Sequence, residues 1–573
     1  MNLRTLRRFL PLALLALAMV MLVVAIGPAA AAPAPNARLV DIQILAVNDF
    51  HGALLPPGTI ATPTGNVNAG GAEYLATWLK TMKAQNERTA IVSAGDMIGA
   101  TPLLSALFHD EPTIEVFNEI GLDFNAVGNH EFDEGLMELL RMQRGGCHPV
   151  DGCQDGDPFG GADFRYLAAN VFYEGTNKTI FPPFRVMTFK GGAKVAFIGM
   201  TLESTPTIVS PSGVEGLEFK DEADTVNRLV NVLKRRGVET IVVLVHEGGY
   251  PSLGTEYNAC PGISGPIVDI VQRTSDEVDL FITGHTHQAY NCVIDGRVVT
   301  SAASNGRLVT KVIMTVSRKT QEVQAITAEN VIVAQTVAKD TAITDLIAKY
   351  NAFAAPLANR VVGSITADFV RGATRGVESN IGRLIADAML DATDDPDTGN
   401  AQIAFMNAGG IREDFLVSDI YGTEAPGVVT YGELFAVQPF GNAMVTMSLT
   451  GTQIDQALEA QWIGVNPVPG NKLLQVSEGF TYSYSAAVAA NPANAGNVVD
   501  INTIMLNGVP IDPNGVYRVT VNSFIADGGD QFPVFIQGTN RLGGAVDTDA
   551  LEAYFAAHSP LTPDPVARVT VLP

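Results

Sequence analysis

Short apolar runs rich in β-branched residues recur from position 39 to about position 333, with helix-like segments between several of them. The runs Asp41–Val47, Ala90–Ser93, Phe124–Val127, Lys194–Met200, Thr240–Val245, Asp279–Ile282, Arg297–Ser301 and Val309–Ser317 have the length and composition of buried strands. Ala72–Gln85 and Asp221–Arg236 read as helices between them. This alternation predicts a layered α/β domain over residues 38–335.

The pattern then changes. Thr336–Asn351 is helix-like and fits a linker over residues 336–362. From Gly363 the chain carries one clear helical segment, Asn380–Asp391, and late strands at Val516–Val521 and Ala567–Val571. Gly422–Gly427, Pro467–Asn471 and Ala486–Asn497 are loop-rich. Residues 363–573 therefore predict a second, α+β domain.

A chain of 573 residues is too long for one ordinary domain, and 47% hydrophobic with 17% charged residues suits folded cores. Arg4, Arg7 and Arg8 precede the apolar stretch Phe9–Ile26, and Ala29–Ala31 offers small residues for cleavage, so residues 1–31 read as a signal peptide. Pro33–Ala37 reads as a short leader, and no other segment reads as a membrane span. The expected location is periplasmic, cell-surface or secreted. Cleavage would remove three arginines and no acid, taking the formal charge from −24 to −27. Such a surface argues against nucleic-acid polymers and anionic membranes as partners, but not against a small anionic substrate. The oligomeric state is open.

An exported chain favours disulfides. Four cysteines allow three connectivities, of which Cys147–Cys153 and Cys260–Cys292 are favoured. The chain has no Cys-x-x-Cys pair of the kind that marks a cysteine-rich zinc site.

Five of the eight histidines fall in motifs that follow apolar runs: Asp49-Phe50-His51, Gly128-Asn129-His130-Glu131, His246 and His285-Thr286-His287, with Gly95-Asp96 completing the series. In open α/β sheets, ligands bind outside the carboxyl ends of the strands, so these loops are expected to converge. Imidazole, carboxylate and amide donors suit Zn²⁺, Mn²⁺ or Co²⁺, and the set is large enough for two ions. On an extended chain Asp49 and His51 would point to one side. A carboxylate such as Asp96 can bridge two ions. His130 is left over, with Asp133 three residues on, in a pattern that suits a histidine oriented by a carboxylate. His109, His148 and His558 lack such context and read as surface or structural.

The ordered motifs resemble the metallophosphoesterase (calcineurin-like) superfamily, and in detail its 5'-nucleotidase family. The resemblance covers nearly all of the mature chain. It implies a four-layer α-β-β-α catalytic domain followed by an α+β C-terminal domain. It also implies one metal held by Asp49, His51, Asp96 and His287, a second held by Asp96, Asn129, His246 and His285, and a His130–Asp133 catalytic dyad. Several family members carry Gln or Asn where His287 stands.

The second domain carries Asn407-Ala408-Gly409-Gly410-Ile411-Arg412, Gln438-Pro439-Phe440-Gly441-Asn442 and Phe524-Ile525-Ala526-Asp527-Gly528-Gly529-Asp530. These are similar to the family's substrate elements, with Ala408 in place of a glycine. The resemblance implies that Phe440 and Phe524 sandwich a base, Asp530 contacts ribose hydroxyls and Arg412 holds phosphate. Asn407, Asn442 and Arg375 complete the set. Aromatic stacking gives affinity with little base preference, and guanidinium forks suit phosphate. The glycine pairs are expected to allow close backbone approach to a ligand.

The implied activity is metal-dependent hydrolysis of nucleoside 5'-phosphates, with UDP-sugars and nucleoside di- and triphosphates as further substrates. One alternative is a 2',3'-cyclic-nucleotide phosphodiesterase with 3'-nucleotidase activity. Another is a surface nucleotide-binding protein with a decayed site.

Overall fold

The computed structural model describes residues 39–252, 256–420, 423–462, 472–490 and 496–573. The signal segment, the leader Pro33–Ala37 and the loop Pro467–Asn471 lie outside the described residues.

Two six-stranded sheets form the first region. In the first, Leu39–Val47 lies between Leu308–Ser317 and Thr89–Ser93, followed by Phe124–Ala126 and Arg165–Leu167, with Val323–Ile332 at the other edge. In the second, Thr240–His246 lies between Leu280–Thr283 and Lys194–Thr201. Strand alternation explains why both faces of Leu39–Val47 are apolar. Ile42, Ile44 and Ala46 pack between the sheets with Phe197, Val242 and Leu244, while Leu45 and Val47 face the outer helices. Ala72–Gln85 and Glu111–Ile120 cover the first sheet, and Glu222–Arg235 and Pro266–Arg273 cover the second. The order is helix, sheet, sheet, helix.

The helix expected as a linker runs Thr341–Ala358. It buries Ile343, Ile347, Tyr350 and Ala354 in the core outside the first sheet. Beyond it, a five-stranded sheet has the order Leu474–Val476, Ile403–Asn407, Val516–Asn522, Ala443–Thr450, Thr539–Val546. Asn380–Asp391 matches its sequence bounds, because Ser379 caps it by accepting from Gly382 N. A one-turn helix, Ala486–Ala489, stands where the sequence reads as loop. No helix among the described residues is long and apolar enough to cross a membrane.

Both favoured disulfides are present. The Cys147–Cys153 loop carries His148 and Asp151 to His109. His109 places Nδ1 2.7 Å from Glu134 and Nε2 3.0 Å from Asp151. A neutral imidazole has one N–H, so facing two carboxylates requires the imidazolium. Burial opposes that charge, but Glu134 and Asp151 outweigh it and raise the pKa to about 9. A raised folded-state pKa gives stability that is complete below the unfolded value near 6.5 and is lost as pH rises through about 9. Both carboxylates are well exposed, so screening reduces the effect to about 1 kcal/mol. Thermal unfolding between pH 6 and 10 should show this loss in the wild type. It should be flattened in His109→Gln, and an identical profile in the two proteins would remove the clasp from the stability account.

Candidate two-metal site and interdomain cleft

The candidate ligands lie where the strands of both sheets end. Asp49 and His51 follow Leu39–Val47, Asp96 follows Thr89–Ser93, and Asn129 follows Phe124–Ala126. His246 ends its strand, and His285 and His287 follow Leu280–Thr283. These strands run parallel within each sheet, so their carboxyl ends share one rim.

The extended-chain argument for Asp49 and His51 does not hold. Asp49, His51, Asp96, His285 and His287 have φ of 49°, 47°, 51°, 68° and 55°. The chain turns over the sheet edge at once, and these left-handed turns aim the side chains. Each costs of order 1–3 kcal/mol and persists only where the surroundings enforce it. Here Asp49 N–H donates to Gly95 O and His51 N–H donates to Asp96 O, both at 3.0 Å. Neighbouring glycines make room: a Cβ on Gly128 would collide with Asp96 Oδ1.

Two donor groups result, Asp49–His51–His287 and Asp96–His246–His285. His51 Nε2 lies 3.1 Å from His287 Nε2 and 3.8 Å from Asp96 Oδ2, which links the groups. His287 Nε2 is 3.4 Å from Asp49 Oδ1, and His246 Nε2 is 2.9 Å from Asp96 Oδ2. Asn129 Oδ1 lies 3.0 Å from His285 Nδ1, on the side of the second group. All seven candidate ligands are thus together.

The donor chemistry fits cations. His246 Nδ1–H donates to Ala94 O at 2.7 Å and His51 Nδ1–H to Gly99 O at 2.9 Å. Their Nε2 lone pairs then face a carboxylate and another imidazole. Buried His246 Nε2 has no properly directed hydrogen-bond partner. On the protein's own charges, burial opposes the imidazolium of His246, but Asp96 outweighs it and raises the pKa to about 10. Burial, reinforced by His246, holds His285 down to about 3. The cluster's own charges thus favour positive charge at His246 and oppose it at His285. Divalent ions meet the same demand for positive charge with correct coordination.

His130 Nδ1–H donates to Asp133 Oδ2 at 2.8 Å, and His130 N–H donates to Asp96 Oδ1 at 2.9 Å. Burial opposes its charge, but Asp133 and Asp96 raise its pKa. Its ring meets His51 edge-on at 5.1 Å. The dyad therefore adjoins the first donor group.

Sequence reasoning missed the role of Glu131. Its carboxylate accepts from the backbone N–H of Asp96, Met97 and Gly128 at 2.9, 3.0 and 2.6 Å, welding the Asp96 loop to the Asn129 loop. A buried acid inside a motif was the available signal. It also missed Asn48, which donates to Asp49 Oδ2 at 2.6 Å, and Asn522, which donates to Asn407 Oδ1 at 2.8 Å.

A cavity of about 490 Å³ joins the two halves of the chain, lined by His51 and His287 from one and Arg375 and Arg412 from the other. Arg307 and Arg371, not singled out from sequence, line it too. Burial, with Arg375 beside it, lowers the Arg412 pKa to about 10. Phe440 lies outside this cavity, 5.8 Å from His130 in a stacked arrangement, with Arg412 5.7 Å above its ring. A base sandwich needs two rings about 7 Å apart, twice the carbon contact distance. Phe440 instead covers the dyad, beside a second cavity of about 120 Å³ lined by Asp133 and Glu134.

Asp530 accepts from Asn407 Nδ2 at 2.8 Å, and Asn442 Oδ1 accepts from Ser523 Oγ at 3.2 Å. The expectation for Gly528-Gly529 needs correction. A Cβ on Gly529 would strike the Phe524 ring, and Gly528 has φ 94°, so the pair serves ring packing and a turn. Gly410 likewise makes room for the Met406 side chain.

Glu131→Gln should weaken metal binding about 10–100-fold, the range for partners that orient ligating groups. Metal titration of the purified chain measures this, and unchanged affinity would restrict Glu131 to folding.

A family model for calcineurin-like phosphoesterases matches residues 42–289, and one for the 5'-nucleotidase C-terminal domain matches residues 361–537. The chain is 33% identical over 521 residues to the endonuclease YhcR of Bacillus subtilis, covering 90% of this chain and 39% of that protein. It is 30% identical over 542 residues to the cell wall protein Lmo0130 of Listeria monocytogenes, covering 90% of this chain and 66% of that one. The chain thus spans less than two thirds of the length of either relative. The crystal structure of a 5'-nucleotidase precursor from Thermus thermophilus aligns with a TM-score of 0.74 at 26% identity, covering 93% of this chain and 99% of that one. With both domains matched in order, and the donor loops and cleft arginines in the same chain, the protein belongs to the 5'-nucleotidase family of the calcineurin-like phosphoesterases.

Proposed function

We propose that the chain is an exported, two-metal-dependent 5'-nucleotidase that hydrolyses nucleoside 5'-phosphates to nucleoside and phosphate. UDP-sugars and nucleoside di- and triphosphates are further substrates of the same site. The observation that carries this reading is the cavity of about 490 Å³, where candidate metal ligands face Arg375 and Arg412. Asp49, His51, Asp96 and His287 would hold one ion, and Asp96, Asn129, His246 and His285 the other. Bound divalent ions would acidify a water nucleophile and offset phosphoryl charge.

The chain's own residues do the rest. Arg375 and Arg412 bind the phosphate oxygens, which their planar forks suit. Asp133 orients His130, and an imidazolium beside the phosphoryl group stabilises or protonates the leaving oxygen. Phe524 holds the base, joined by Phe440 only when Phe440 leaves its place over the dyad, and Asp530, braced by Asn407, accepts from the ribose hydroxyls. Asn442 steadies the loop bearing Phe440. Two disulfides and the sequence of residues 1–31 support export, as does the cell-wall name of the Listeria relative. The name of the Bacillus relative raises polynucleotides as substrates. A net charge of −24 argues against them.

Purified protein with Mn²⁺ or Co²⁺ should release phosphate from AMP, stop after chelation and recover when either ion is returned. Absence of release across a panel of nucleotides and UDP-glucose would refute the proposal, and single-stranded DNA in the panel tests the polynucleotide reading. His130→Ala should lower kcat about 10²–10⁴-fold, the usual contribution of a general acid–base group. A kcat within twofold of wild type would remove His130 from the chemistry.

A further inference from the structure

One buried cation has no task in this scheme. Lys472 is 4% exposed, and its Nζ donates to the backbone oxygen of Asp530 at 2.8 Å. The ammonium also lies 4.9 Å from the centre of the buried Phe532 ring. Burial costs an ammonium much of its hydration, and here it pushes the pKa down to about 8 against the pull of Asp530. A neutral residue would fill this place at lower cost unless the bond to Asp530 matters.

The turn it holds is strained. Asp530 and Gln531 are consecutive non-glycine residues with φ of 52° and 59°. Left-handed backbone is unfavourable for both, and a fixed carbonyl keeps the turn from relaxing. Lys472 fixes the Asp530 backbone, while Asn407 Nδ2 fixes its carboxylate at 2.8 Å. The same segment reaches the arginine loop. Leu473 N–H donates to Arg375 O at 3.0 Å, and Gln475 Oε1 accepts from Ser379 N–H at 2.8 Å. Residues 472–475 thus tie the loop of Arg375 to the turn of Asp530.

We infer that Lys472 is a positioning residue that sets Asp530 for the sugar diol, and that residues 472–475 fix the spacing between the phosphate and sugar ends of the substrate. This rests on the nucleotidase reading of the same site. The consequence is selective: ligands with a ribose diol depend on Lys472, and phosphate esters without one do not.

The test uses the full chain with Mn²⁺, adenosine binding by calorimetry and hydrolysis of p-nitrophenyl phosphate. Lys472→Met should weaken adenosine about tenfold, the loss of one charge-assisted hydrogen bond. Hydrolysis of p-nitrophenyl phosphate, its inhibition by inorganic phosphate and the melting temperature should stay near wild type. Lys472→Arg, which keeps a donor, should restore most of the adenosine affinity. In an Asp530→Ala background, Lys472→Met should add nothing. Equal losses for adenosine and p-nitrophenyl phosphate, additive losses in that background, or no adenosine binding by the wild type would overturn the inference. Adenosine binding without AMP hydrolysis would instead sink the nucleotidase reading and leave the positioning role standing.

Discussion

The structure is organised around lone pairs that face one another in a dry place. Asp49, Asp96 and His246 are essentially inaccessible, yet imidazole nitrogens lie 3.1 Å apart and a carboxylate lies 2.9 Å from a histidine nitrogen. Such an arrangement is repulsive unless positive charge enters it. Everything nearby serves to hold it. Five candidate ligands accept left-handed backbone, Gly128 leaves room by having no side chain, and Glu131 commits its carboxylate to three backbone N–H groups. The two sheets supply the rigidity, because the loops spring from strands buried on both faces.

The second half of the chain solves a different electrostatic problem. The whole protein carries a formal charge of −24, but the cleft gathers Arg307, Arg371, Arg375 and Arg412. Arg371 is paired with Glu413 and Asp414, which limits its call on a ligand. Arg375 and Arg412 lie beside one another, and their mutual repulsion helps lower the Arg412 pKa. Concentrated positive charge in a low-dielectric cleft attracts a small anion without making the surface attractive to a polymer. Charge at the scale of the chain and charge at the scale of the site are therefore independent facts.

The layers and the convergence of most candidate site residues were legible in the sequence for a physical reason. Buried parallel strands are apolar on both faces, so Leu39–Val47 and Thr240–His246 stand out, and the candidate ligands lie at or just after their ends. The backbone was not legible. Nothing in Asp49-Phe50-His51 announces two left-handed residues, because that conformation is imposed by hydrogen bonds donated to the carbonyls of Gly95 and Asp96, far along the chain. Short irregular strands such as Arg165–Leu167 also escaped, since three residues carry no period. The role of Glu131 was hidden because a carboxylate that binds backbone looks, in sequence, like one that binds metal. Lys472 was hidden by its type, since lysine in a loop reads as solvated.

Donor lists alone cannot separate a candidate metal centre from an ion-pair clasp, and this chain offers one of each for comparison. His109, His148 and Asp151 meet the same proximity condition as Asp49, His51 and His287. Ring orientation distinguishes them. In the candidate metal-binding groups, His51 and His287 are inclined by 57° with centres 5.0 Å apart, and His246 and His285 by 70° at 5.4 Å. An imidazole lone pair lies in the ring plane, so inclined rings can aim two lone pairs at one point. His109 and His148 are stacked at 3.8 Å with only 16° between their planes. Their in-plane lone pairs run side by side and do not converge on an ion at about 2.0–2.1 Å from each nitrogen. What this second cluster gathers is carboxylates around an imidazolium, which ties the disulfide loop to the turn after Asp133. The same residue types are thus arranged for opposite work, in one place suited to receive a cation and in the other supplying it.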